Sequence, residues 1–159
     1  MTDVAALLRV LGAEGVRFIL VGGAAAVAHG SARLTQDVDV VYARDRENLT
    51  RLVSALSPTR PYLRGVPPGL PFAWDERTLR NGLNFTLQTS LGALDLLGEI
   101  AGGGGYEDLV SHSFEIELFG IRCRLLDLDT LIAVKRAAGR PKDLEAIAEL
   151  EVIRDRTRG

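Results

Sequence analysis

Asp37 and Asp39 are separated by a single valine in a stretch, Gln36 to Tyr42, where polar and apolar residues alternate. On a strand, that spacing puts both carboxylates on one face with Cα atoms about 6.5 Å apart. Two acids so placed repel unless a cation sits between them. Mg²⁺ suits the position: it binds one or two carboxylates together with phosphate oxygens and water, and paired ions about 3.5–4 Å apart serve in-line phosphoryl transfer. Asp95, between Leu94 and Leu96, repeats the pattern of an acid among core residues. It completes a three-carboxylate site if its strand lies beside the first. The alternative is that all three acids line a solvated sheet face.

Gly22-Gly23 ends an apolar run and opens a short helical stretch, an arrangement that aims backbone N–H groups at an anion such as a triphosphate. A glycine pair of this kind also serves as a packing turn. Thirteen residues separate Gly23 from Asp37, enough to return the chain as a neighbouring strand and bring turn and acids together. Lys135 lies three and four positions after Ile132 and Leu131, on their inward helical face, where its ammonium needs an anion or must snorkel to solvent. Arg122, Arg124, Arg136 and Arg140 are candidates to extend it into a basic rim, or they face solvent. Lys142 and Asp143 are expected to pair structurally.

Other reactive side chains carry less. His29 reads as a cap or packing residue near the turn, and His112, between two serines, has no partner for a nucleophilic triad. Cys123 lies between arginines with no histidine to activate it, so a buried structural thiol is expected. Trp74 covers the core edge or stacks on a base. Glu99, near the end of the Asp95 strand, is expected in solvent.

The elements that must position these groups follow from hydrophobic periodicity. Val4, Leu7, Leu8 and Leu11 mark a first helix; Val16 to Val21 is too short and too branched for anything but a buried strand. Ala24 to His29 forms a helical turn, Gln36 to Tyr42 a strand, and Leu49, Leu52, Val53 and Leu56 a helix. Five prolines between Ser57 and Pro71 predict a connecting loop. Leu83 to Thr89 and Ala93 to Leu97 read as strands joined near Gly92, and Phe114 to Leu118 with Ile121 to Leu126 as a hairpin turning at Gly120. Gly102 to Gly105 reads as a mobile link. Asp127 or Asp129 caps a helix ending at Gly139, and Pro141 opens a last helix through Leu150.

The chain has 159 residues, 47% of them hydrophobic, which is the size of one domain with an ordinary core. Its net charge of −2 provides no global field for nucleic acid or anionic membranes, so any polyanion site must be local. A lone cysteine excludes an internal disulfide, and no Cys/His spacing suits zinc. Met1-Thr2-Asp3 starts no basic leader and no apolar run approaches membrane-spanning length. A cytoplasmic protein without a membrane partner is expected.

Val21-Gly22-Gly23, Thr35-Gln36-Asp37-Val38-Asp39-Val40 and Leu94-Asp95-Leu96, in this order and spacing, resemble the nucleotidyltransferase superfamily of DNA polymerase beta type. Gly22-Gly23-Ala24 through His29-Gly30, Arg33, Asp95 to Glu99 and Lys135 to Leu144 are similar to small bacterial proteins of the AbiEii toxin-like branch, over roughly Phe18 to Leu150. The resemblance implies an α/β (α+β) nucleotidyltransferase fold with a mixed central sheet flanked by helices. The length of the chain and the end of its last helical pattern predict one domain over residues 1–153 and a frayed tail over 154–159. Asp37, Asp39 and Asp95 would bind two Mg²⁺ ions, with Asp95 also activating the acceptor hydroxyl. Gly22, Gly23 and Lys135 would hold the triphosphate of an NTP such as ATP. An NMP would pass to RNA, for example a tRNA end, or to protein, in a toxin–antitoxin or phage-defence system with a cognate toxin or antitoxin. Many active members carry Gly-Ser at the turn, where the hydroxyl contacts phosphate. Here Gly23 and Ala24 have none, which weakens the catalytic reading without removing it and is the best support for the alternative, a noncatalytic, antitoxin-like member that binds nucleotide or a partner.

Overall fold

The computed structural model describes residues 2–33 and 35–158; Met1, Leu34 and Gly159 lie outside it, and with them the expected domain start and the last residue of the expected tail. Helix α1 (Val4–Ala13) is started by the Asp3 carboxylate, which accepts the Ala6 N–H, and buries Leu7, Leu8 and Leu11. Strand β1 (Phe18–Val21) is buried along its whole length, as a central strand covered on both faces must be. It runs directly into α2 (Gly22–Ala28), and the chain returns as β2 (Asp37–Tyr42), antiparallel to β1. Asp45 caps α3 (Arg46–Leu56), which packs on α1. Beyond it come β3 (Tyr62–Leu63), α4 (Glu76–Asn81), β4 (Asn84–Thr89) and β5 (Gly92–Leu97). The chain continues as α5 (Tyr106–Leu109), β6 (Ser113–Leu118), β7 (Ile121–Leu126), α6 (Leu128–Ala138) and α7 (Pro141–Arg158).

The strands form one seven-stranded mixed sheet in the order β3-β4-β5-β2-β1-β7-β6. Antiparallel hairpins build its two ends, while the parallel pairs β2–β5 and β1–β7 join them at the centre. Burial alternates along β4 and β5: Phe85, Leu87, Leu94 and Leu96 point into the core, while Asn84, Thr86 and Gln88 are exposed. One face of this half of the sheet is therefore open, and it is the face that carries Asp95.

Four regions differ from the sequence reading. The proline-rich stretch is not wholly a loop: Tyr62–Leu63 pair with Leu87 and Gln88 as an edge strand, the one sheet position where flanking prolines cost no ladder bond. Helix α4 follows an Asp75 cap that accepts the Thr78 N–H; it is six residues long and buries only Leu79, too little to show a helical apolar pattern. Gly102–Gly105 forms a turn closed by Ile100–Gly104 backbone bonds and leading into α5. The last helix also continues past Leu150 to Arg158, where Arg154 and Arg158 both reach Asp129 on α6. Among the described residues, no helix is long and apolar enough to cross a membrane.

A single buried polar side chain ties α3 to the ends of β1 and β2 that lie opposite the acidic residues. Asn48, fully buried, accepts the Arg17 N–H at 2.7 Å and donates to the carbonyls of Arg17 at 3.0 Å and Ala43 at 2.7 Å. Asn48→Ala strips all three groups of a partner in a dry environment. Chemical denaturation should show a loss of roughly 2–4 kcal/mol.

Candidate active site

The parallel pairing of β2 with β5 sets Asp39 directly beside Asp95, and Asp37 lies two residues back on the same face as Asp39. One oxygen from each of the three carboxylates falls within 4.8 Å of the others. The sheet order, in which β5 inserts next to β2, thus converts a separation of more than fifty residues into contact.

Burial, then the charges of Asp37 and Asp95, then a hydrogen bond shared with Asp95 push the Asp39 carboxyl up to about 7; Lys135 opposes the rise. Asp39 Oδ1 is buried and has no hydrogen-bond partner among the described residues. An orphaned carboxylate oxygen beside two further carboxylates is a hard, anionic oxygen donor set, and it fits the Mg²⁺ that this kind of chemistry requires.

Gly22 presses the backbone against this cluster. It has φ +64°, and a Cβ there would stand 2.1 Å from Asp39 Oδ2. Gly23 is close-packed too, its Cβ position lying 2.9 Å from Thr35 Oγ1. Among the described residues no side chain caps the start of α2, so the turn's leading N–H groups have no side-chain acceptor there.

Lys135 reaches the same place from α6. It lines a cleft of about 260 Å³ with Gly22, Asp39, Leu97, Leu131 and Arg140. Burial holds its ammonium below the usual lysine range, and the nearby charges of Asp143 and Asp39 resist that. It forms no ion pair within 4.0 Å among the described residues. The structure therefore brings together Asp37, Asp39, Asp95, Gly22, Gly23 and Lys135.

The wider basic rim does not assemble. Arg140 lines the cleft, but Arg136 pairs with Glu151 at 2.9 Å, and Arg122 pairs with Glu115 on the β6–β7 hairpin at the far edge of the sheet. Arg124 there donates to Ser113 Oγ. Lys142 is not the partner of Asp143: the nearly buried Asp143 carboxylate receives Arg140 at 2.6 Å, because one helical turn brings position 140 back over 143. His29 Nε2 meets the Leu126 carbonyl at 2.8 Å, and Trp74 Nε1 donates to the Val53 carbonyl, so both are packing residues. Burial pushes the Cys123 thiol up, away from reactivity. Glu99 is exposed at the mouth of the cleft, and His112 is exposed in a short turn before β6.

One residue of the site escaped the sequence reading. Arg64, just beyond β3, donates to Asp95 Oδ1 at 2.7 Å. Only the β3–β4–β5 pairing reveals the contact, since nothing around Arg64 in the proline-rich stretch marks it.

No family model and no curated protein matches the sequence. Among solved structures, the chain is similar to the lincosamide antibiotic adenylyltransferase LnuA, solved with lincomycin bound: TM-score 0.63 at 16% identity, covering 96% of this chain and 98% of that one. It is also similar to a Thermotoga maritima protein assigned as a nucleotidyltransferase, with TM-score 0.50 at 15% identity, covering 96% and 91%. With a mixed sheet, flanking helices and these neighbours, the chain has the nucleotidyltransferase fold.

Proposed function

We propose that the protein is an Mg²⁺-dependent nucleotidyltransferase that moves a nucleoside monophosphate from an NTP to an acceptor hydroxyl. The observation that carries this reading is the convergence of three carboxylates, one with an orphaned oxygen, on a glycine turn and a half-buried lysine. Asp37, Asp39 and Asp95 hold the metal. Bound there, Mg²⁺ screens the phosphate charge and polarises the α-phosphate. Gly22 and Gly23 receive the β- and γ-phosphates on backbone N–H groups, and Lys135 adds a cation on the same side of the triad. The acceptor oxygen bonds to the α-phosphorus as the bond to the β-phosphate oxygen breaks. Pyrophosphate leaves towards Lys135, and the acceptor proton passes to Asp95.

The resemblance to the AbiEii toxin-like branch favours RNA, such as a tRNA end, or protein as acceptor, in a toxin–antitoxin or phage-defence setting within the cytoplasm. A second reading, a small hydroxylated acceptor, is favoured by the end-to-end match to LnuA, whose structure holds lincomycin.

Each α-labelled NTP incubated with the protein, Mg²⁺ and total cellular RNA, or with lincomycin, tests both. Label should enter one acceptor class, and the Asp37→Asn/Asp39→Asn variant should transfer at least 1000-fold less, roughly the loss expected when a group central to transition-state stabilisation is removed. Binding without transfer of label from any nucleotide would replace this reading with the noncatalytic one.

A further inference from the structure

We infer that Arg64 is a positioning residue for Asp95, and that its guanidinium is a resident counter-charge which orients that carboxylate while holding down the triad's affinity for divalent ions. The inference rests on the transfer reading of the site for its kinetic consequence, but not for its effect on ion binding.

Arg64 makes the only direct ion pair to the three acids among the described residues. Its backbone N–H donates to the Thr86 carbonyl at 2.9 Å, extending the β3–β4 ladder by one residue. Its side chain then crosses β4 on the open face of the sheet, where Nη2 donates to the Leu87 carbonyl at 2.8 Å and to Asp95 Oδ1 at 2.7 Å. Thr86, opposite Asp95 in the β4–β5 register, is short enough to leave that path clear.

The arrangement is a poor stabilising device. Arg64 Nε is buried without a partner, the pair is largely removed from water, with side-chain exposures of 32% and 17%, and a long side chain is fixed to make it. Desolvation on this scale offsets most of the Coulombic gain. Its effect on Asp95 is specific, however. Oδ1 accepts from Arg64, so the plane in which the Asp95 carboxylate faces the other two acids is set.

An ionised carboxylate can only accept hydrogen bonds, so its outer-shell partners are donors, and those that are neutral orient it without adding charge. A guanidinium also withdraws charge from the ligand and repels the incoming cation. Arg64 also borders the cleft of about 780 Å³ formed with Thr2, Gln36, Asp37 and Gln88, which shares no residue with the Lys135 cleft. The Ser57–Pro71 segment thus reaches the triad through one side chain.

The test is calorimetric titration of nucleotide-free protein with Mn²⁺ at low ionic strength, paired with the label-transfer rate, for wild type, Arg64→Gln and Arg64→Lys. Arg64→Gln should bind Mn²⁺ roughly three- to tenfold more tightly, the effect of removing a unit charge about 6 Å away in a polar medium. It should transfer label roughly ten- to a hundredfold more slowly, as expected when a ligand loses its orienting partner. Arg64→Lys keeps the charge without the planar fork and should bind Mn²⁺ like wild type while transferring slowly. A merely structural lesion would weaken both properties together. Folded Arg64→Gln with unchanged or weaker Mn²⁺ binding, or with wild-type transfer, overturns the inference. If Arg64→Gln does not fold, Arg64→Lys decides it by the same pair of readings. If wild type transfers no label, the function reading falls and the Mn²⁺ comparison alone decides the role of Arg64.

Discussion

Replacing Asp39 by asparagine is expected to abolish nucleotidyl transfer and, in the metal-free protein, to raise the melting temperature. The two effects share one cause. Asp39 is placed where its ionised form is unfavourable, desolvated and beside Asp37 and Asp95, so its carboxyl is pushed from 3.8 up to about 7. The unfolded chain releases this proton near pH 4, whereas the folded chain keeps it until near pH 7. Between those values the native state binds more protons than the unfolded state, so metal-free stability must fall as pH rises, levelling off above about 7. Asparagine is neutral throughout and removes the slope. At pH 8 the variant should be more stable by about 2–4 kcal/mol, or roughly 5–10 °C in melting temperature for a domain of this size. Mg²⁺ reverses the comparison, because the ion binds the ionised native form of the wild type and raises its melting point, whereas it leaves the variant nearly unmoved. Because a proton on Asp39 competes with the ion, the apparent affinity of the wild type for Mg²⁺ should rise with pH up to about 7 and level off above it. Scanning calorimetry of both proteins at pH 5 and pH 8, with and without Mg²⁺, checks every sign. A variant less stable than wild type at pH 8 without metal would mean that Asp39 serves the fold and not the site.

This opposition between stability and chemistry explains which features were legible in the chain itself. Asp37 and Asp39 could be read because period-2 alternation places them on one face whatever the surrounding topology. Gly22 was legible as a turn, but its reason was not: only the structure shows that Asp39 Oδ2 occupies the place of a Cβ. Asp95 could be suspected from its apolar neighbours, yet its pairing with Asp39 depends on β5 inserting beside β2, a long-range choice that no local pattern encodes. Arg64 lies at the far end of the same dependence, two strands away from the acid it holds. Lys142 shows the opposite failure, since adjacency to Asp143 suggested a pair that helix geometry gives to Arg140. The β6–β7 hairpin was found in place because its turn, with Phe119 at φ 53° and Gly120 at φ 82°, is set by residues adjacent in sequence.

Gly22→Ala is expected to disable the site with a single methyl. An alanine at φ +64° carries an intrinsic cost of about 1 kcal/mol. The larger effect comes from position: the new Cβ would lie 2.1 Å from Asp39 Oδ2 and 2.9 Å from its Cγ. Asp39 cannot withdraw by moving its backbone, because β2 is held between β1 and β5. The carboxylate must rotate, away from Asp37 and Asp95, and the backbone turn that would receive phosphate must shift with it. Transfer should fall by more than about 100-fold, with a loss of roughly 2–4 kcal/mol in stability. Two companions separate the causes. Gly120→Ala carries a similar strain at φ +82° with nothing within 4 Å of its Cβ, so it should cost about 1 kcal/mol and leave transfer intact. Gly23→Ala meets Thr35 Oγ1 at 2.9 Å, in the loop preceding β2 and not in the ladder, so that side chain can give way and the loss should be intermediate. Comparing the three by denaturation and label transfer isolates the contact with Asp39. Wild-type transfer by Gly22→Ala would show that the Asp39 carboxylate need not point where the structure places it, and the three-acid site would lose its central member.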